Sequence, residues 1–126
     1  MKPTLYKIYY KCEPLPFLAY LGRTKNDLTA RLRQHFTGHV LMKTLDITGV
    51  SHIEYAEFET VADMFVAEIA YINILKPPLN IDDKAKDELT VNVDLSGVKW
   101  KLWKKQHLID KWTAALTKTG EETDNE

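Results

Sequence analysis

A chain of 126 residues, 44% hydrophobic and 28% charged, suits one soluble globular domain with a buried core. No apolar run approaches the ~20 residues a membrane span needs, and the single cysteine, Cys12, excludes an internal disulfide and cannot make a zinc site on its own, so a reducing, cytoplasmic setting is expected. The net charge of −1 hides blocks of opposite sign, +5 over residues 1–50, −7 over 51–96 and +5 over 97–118, which excludes a uniformly basic nucleic-acid binder but leaves two basic segments able to meet phosphate on one face.

Leu5–Tyr10, rich in tyrosine and isoleucine, reads as a strand; Glu13-Pro14-Leu15-Pro16 interrupts it and Phe17–Leu21 resumes as a second, giving an antiparallel hairpin. Gly22 and the polar run Arg23–Asp27 lead into a helix with an apolar stripe of Leu28, Leu32 and Phe36, closed by Gly38. Val40–Ile47 is a candidate short helix, and Ser51–Phe58 contains a third strand with Ile53 and Tyr55 on one face. Thr60 and Asp63 have capping-box spacing at the head of a second long helix, which runs to about Lys76 because Pro77-Pro78 cannot continue it. Leu89–Leu95 alternates like a strand, Val98–Leu116 is a basic, tryptophan-bearing, partly helical segment, and Thr117–Glu126 lacks the apolar residues that order a chain. The expected organisation is a core over residues 1–81, a strand-helix extension of the same domain over 82–116, and a disordered tail over 117–126.

Glu68 shares a helix face with Met64, Phe65, Tyr71 and Ile72, and a carboxylate among apolar side chains is costly unless it is paired or holds a cation. It is either a rim residue with its head in water or a metal ligand. Arg31 and His35 lie one helical turn apart at the edge of the apolar stripe, where a guanidinium can fork onto phosphate and an imidazole can move a proton; the plain alternative is a solvated helix face. Tyr6, Tyr9, Tyr10 and Tyr20 are cross-strand packing residues or phenols that position water.

Lys7-Ile8-Tyr9, ten residues, then Tyr20-Leu21-Gly22 resembles the paired half-motifs of the GIY-YIG endonuclease family, with lysine in place of the first glycine. The run from Tyr20 through Arg31 to His35 is similar to that family's passage into its arginine helix, and Glu68 followed twelve residues later by Asn80 is similar to its glutamate helix and closing asparagine. The resemblance spans about Leu5–Asn80 and implies an α/β (α+β) fold with a three-stranded antiparallel sheet flanked by helices, carrying a C-terminal strand-helix addition. It also implies hydrolysis of DNA phosphodiester bonds with Mg²⁺ or Mn²⁺ held by Glu68. Arg31 would stabilise the transition state, a hairpin tyrosine beside Tyr20 would activate water, His35 would assist proton transfer and Asn80 would orient the site. The family's first tyrosine falls on Tyr9 by spacing but on Tyr6 by hairpin geometry. Setting Tyr6 opposite Tyr20 leaves a loop that accommodates Pro14, so Tyr6 is the expected residue and Tyr9 the alternative.

Arg23, Lys25, Arg33, Lys104 and Lys105 are candidate phosphate contacts. Trp100, Trp103 and Trp112 among lysines read as core packing in preference to base stacking. The expected partner is DNA, duplex or branched, with no membrane; a protein partner or a dimer is left open. Two rival readings are a nucleic-acid-binding module of this fold without turnover and a protein-interaction domain. His39 offers a second imidazole near the helix end, while His52 and His107 lack partners at metal-ligand spacing.

Overall fold

The computed structural model describes residues 2–37, 46–80 and 88–124, with side chains up to residue 115. Its elements in chain order are β1 (Thr4–Tyr10), β2 (Phe17–Thr24), α1 (Leu28–Thr37), β3 (Val50–Glu57), α2 (Val61–Leu75), β4 (Lys101–Leu102) and α3 (His107–Asp124). The strands form one antiparallel sheet in the order β2-β1-β3-β4, so the described residues make a small α+β domain with a four-stranded sheet and three α-helices. The sheet thus has one strand more than expected.

Strand alternation divides the core between the two faces. In β1, Tyr6 and Ile8 join a cluster with Leu32 and Phe36 of α1 and Ile109 and Trp112 of α3. Leu5 points the other way, toward Leu21 and toward Met64, Ala67 and Ile72 of α2. Helices therefore cover both faces, because β1 carries apolar side chains on each. Trp103 and Trp112 are buried in the first cluster with their rings stacked at 6.3 Å, which is the packing role expected of them. Trp100 packs against the second cluster and donates its indole N–H to Tyr71 Oη at 3.1 Å, while the Lys7 ammonium lies 4.1 Å from its ring centre.

Three expectations need correction. The alternating segment Leu89–Leu95 forms no strand; β4 is instead Lys101–Leu102, paired with Tyr55 and Glu54. Alternation needs a partner edge to become a strand. The free edge of β3 is taken by residues 101–102, while Val91 stays 69% exposed. In the hairpin, Tyr20 faces Ile8 rather than Tyr6, Tyr6 faces Gly22, and a bulge between Ile8 and Tyr9 resets the pairing to Tyr9 with Leu18. The bulge is the extra residue Ala19, and beyond it β2 stays paired with β1 through Gly22 to Thr24. Finally, α3 continues to Asp124, through most of the stretch expected to lack order.

The second long helix begins and ends where its local chemistry requires. Thr60 accepts from the Asp63 backbone N–H at 3.0 Å, and Lys76 closes α2 in the left-handed conformation at φ 46° just before Pro77. α1 starts on Asp27, whose carboxylate accepts from the Ala30 N–H at 3.1 Å. Of the candidate helix Val40–Ile47, residues 40–45 lie outside the described residues; Ile47 opens a 3₁₀ turn that leads into β3. Among the described residues, no helix is long and apolar enough to cross a membrane.

Candidate active site

Tyr6, Tyr20 and His35 meet where α1 crosses the hairpin. The Tyr6 phenol lies 2.6 Å from His35 Nε2, and both residues are about 1% exposed. With the imidazole proton on Nδ1, the phenol donates to Nε2, an arrangement in which the ring can draw on the phenolic proton. Burial pushes the Tyr6 phenol well above its ordinary value; Tyr20 and Glu68 add to the rise, while Arg31 and Arg23 pull against it. The phenol is therefore neutral at ordinary pH and acts through its hydrogen bond. Tyr20 is half-buried, with its ring edge toward His35 at 5.3 Å.

Gly22 makes this meeting possible. A Cβ at position 22 would lie 2.5 Å from both Cζ and Oη of Tyr6 and 2.8 Å from the Tyr20 ring. Tyr6 cannot step aside, because its ring is buried and its hydroxyl is held by His35. Gly22→Ala is thus expected to lower the unfolding free energy by about 1–3 kcal/mol, the scale of overpacking a filled core, as read by urea denaturation. An unchanged midpoint would show that the ring moves at no cost.

Tyr9 lies on the opposite face of the sheet, stacked on His52 at 4.4 Å between ring centres. Of the two hairpin tyrosines weighed from the sequence, Tyr6 is the one beside Tyr20 and His35, although the register that brings it there is not the expected one.

On the α2 face, Glu68 is 3% exposed, which overturns the picture of a rim carboxylate in water. Its charge is met by Arg23, whose Nη1 donates to Oε1 at 2.7 Å and to Oε2 at 3.0 Å. The Arg23 guanidinium also lies 4.7 Å above the Phe65 ring. Arg31 is half-buried and donates from Nη2 to the Arg23 carbonyl at 3.3 Å, which ties the arginine of α1 to the strand that carries Arg23. The pairing of Arg23 with Glu68 was not anticipated. Strand alternation carried the signal, since Leu21 and Arg23 share the face of β2 that α2 covers.

Asn80 is buried, with its amide spanning the Leu21 backbone: Oδ1 accepts from Leu21 N–H at 2.8 Å, and Nδ2 donates to Leu21 O at 2.9 Å. It holds the strand between Tyr20 and Gly22 and acts on the site through that backbone.

The remaining candidates are dispersed. Lys25, just before α1, and Arg33, midway along it, are exposed, whereas Lys104 and Lys105 line a groove of about 560 Å³ with Lys2 and Lys101. The groove also contains Asp27 and Glu57, and none of the Tyr6, His35, Arg31 or Glu68 side chains lines it. His39 lies outside the described residues, and Cys12 is exposed in the hairpin loop. Among the described residues, no group of three or more His, Cys, Asp or Glu side chains could hold a metal, so Glu68 would be a single carboxylate ligand completed by water and substrate oxygens. No family model, curated protein or solved structure matches the chain, and the case for a function rests on these residues.

Proposed function

We propose that the protein is a metal-dependent DNA endonuclease domain of the GIY-YIG type, a hydrolase of phosphodiester bonds. One observation carries this reading: a chain of contacts links β1, β2, α1 and α2. In it the Tyr6 phenol is hydrogen-bonded to His35 beside Tyr20, Arg31 from the same helix donates to the Arg23 carbonyl, and the Arg23 guanidinium pairs with the buried Glu68. Such a convergence of a phenol–imidazole pair, a buried carboxylate and two guanidinium groups suits attack of water on a phosphodiester.

Glu68 would hold Mg²⁺ or Mn²⁺, which supplies polarisation of the phosphate and of the leaving oxygen when bound. Its burial fits that role, because its carboxylate already has a cation against both oxygens. Arg31 forks onto a phosphate oxygen and meets the charge that develops there. Tyr20, the more exposed of the two phenols, orients the attacking water, and the Tyr6–His35 pair behind it takes up the proton. As the water oxygen bonds to phosphorus and the bond to the leaving oxygen breaks, the released proton reaches the Tyr6 oxygen while the phenolic proton passes to His35 Nε2, and the leaving oxygen takes a proton from solvent to depart as the alcohol. Lys101, Lys104 and Lys105 around the groove add phosphate contacts that fix the position of the duplex but not its sequence.

The test is cleavage of plasmid, nicked, branched and single-stranded DNA with and without Mg²⁺. Metal-dependent nicking is expected, with Tyr6→Phe slowed by about 10²-fold or more, the scale of losing one proton-transfer group, and Tyr9→Phe unaffected. Absence of metal-dependent cutting on all four substrates would sink the proposal. Loss of cutting in Tyr9→Phe but not in Tyr6→Phe would reverse the tyrosine assignment.

A further inference from the structure

The ion pair between Arg23 and Glu68 has a geometry that bears on how a metal reaches the site. A single nitrogen, Arg23 Nη1, sits between both carboxylate oxygens, at 2.7 and 3.0 Å, in a place where Glu68 is almost fully buried. A divalent ion on the same carboxylate needs those lone pairs at about 2.0–2.1 Å if it is Mg²⁺. A divalent ion on those two oxygens would lie close to the guanidinium, and the two positive charges repel each other. The Arg23 side chain, by contrast, is 40% exposed, so its head can turn into solvent while its backbone stays paired with Leu5 in β1. The Phe65 ring beneath the guanidinium is a second resting surface for it, independent of Glu68.

We infer that Arg23 is a resident counter-cation on Glu68, displaced by the divalent ion, and that the freed guanidinium then grips an oxyanion of the same phosphodiester. This rests on the metal-dependent reading of the site and adds an order of events to it. Without metal, the Arg23 guanidinium lies against both oxygens of the buried Glu68 carboxylate. Once metal arrives, the positive charge at the site rises, and Arg23 has no carboxylate to satisfy it until a phosphate enters. Metal binding and phosphate binding are therefore coupled, and each strengthens the other by the same factor. The Arg23 carbonyl accepts from Arg31 Nη2, which sets the Arg31 guanidinium of α1 against the strand that carries Arg23.

The test reads metal binding without DNA and without turnover. Mn²⁺ is titrated by electron paramagnetic resonance into the full chain, Arg23→Ala, Arg23→Lys and Glu68→Gln, while side-chain ¹⁵N resonances of Arg23 are followed in the unaltered protein as Mg²⁺ is added. Arg23→Ala is expected to bind Mn²⁺ about tenfold more tightly than the parent, within the usual span of coupling factors. Glu68→Gln should lose the site, and the Arg23 resonances should move with saturation. Arg23→Lys keeps a cation beside Glu68 and should stay near the parent, which separates lost competition from a general loosening of the fold. Should Arg23→Ala fail to fold, the Arg23 resonances decide alone. If the parent binds Mn²⁺ through Glu68, yet Arg23→Ala binds no more tightly and the Arg23 signals stay fixed, the displacement is wrong while the metal reading stands. If neither the parent nor Arg23→Ala binds Mn²⁺, the metal reading itself fails.

Discussion

Glu68→Gln should abolish metal-dependent cleavage, and Arg31→Ala should lower turnover by about 10²-fold or more, the scale of losing one pre-organised charge donor. Glutamine preserves the shape of the buried side chain but removes the charge that Arg23 now neutralises. The fold should survive this change. The guanidinium left behind is 40% exposed and can hydrate, and the charge-assisted hydrogen bond it loses is worth about 1–3 kcal/mol. Circular dichroism and urea denaturation would establish that the variant is folded, and plasmid nicking in Mg²⁺ would read the activity. A folded Glu68→Gln that nicks as fast as the parent removes the carboxylate from the mechanism. Arg31 requires a different control, because its contact with the Arg23 carbonyl also ties α1 to β2. Arg31→Lys keeps a charge but not a fork, and should recover only part of the rate.

The second large effect concerns stability. A chain ending before Val98 should fail to fold cooperatively, since it would lack Trp103, Ile109 and Trp112, which are buried in the same cluster as Tyr6, Ile8, Leu32 and Phe36. Removal of one such tryptophan side chain costs about 3–5 kcal/mol, a large part of the ~5–15 kcal/mol that holds a domain, and the truncation removes both, together with β4. Calorimetry or chemical-shift dispersion would check this; a sharp transition in the truncated chain would mean that the two layers over β1 and β2 suffice. Truncation is accordingly unsuitable for testing DNA contacts in this segment. Charge reversal at Lys104 and Lys105, both exposed, isolates the electrostatic contribution without emptying the core.

What the sequence disclosed depended on how far apart the deciding residues lie. The limits of α2 were legible because Thr60, Asp63 and Pro77 act on their own neighbours. The core role of the tryptophans followed from reading the lysines among them as the outward-pointing residues, and the grouping of Tyr6, Tyr20 and His35 from motif order. The hairpin register was not legible, since it is set by one inserted residue, Ala19, and by the room Gly22 leaves for a phenol from the facing strand. β4 was missed because two residues carry no alternation to detect; their identity as a strand is a property of the edge they meet. Likewise, Arg23 and Glu68 are 45 positions apart, and only the packing of α2 on the face that carries Leu21 brings their charges together.

The amide of Asn80 has a consequence for assembly. A sheet ends in two rows of backbone donors and acceptors, each a template on which a foreign strand can add. On β2 that row is interrupted at Leu21, where the asparagine side chain already satisfies both groups, as a neighbouring strand would. The opposite border is β4, only two residues long. Each margin is thereby shortened as a template, β2 by the asparagine at Leu21 and the opposite border by the length of β4, which works against strand-to-strand polymerisation.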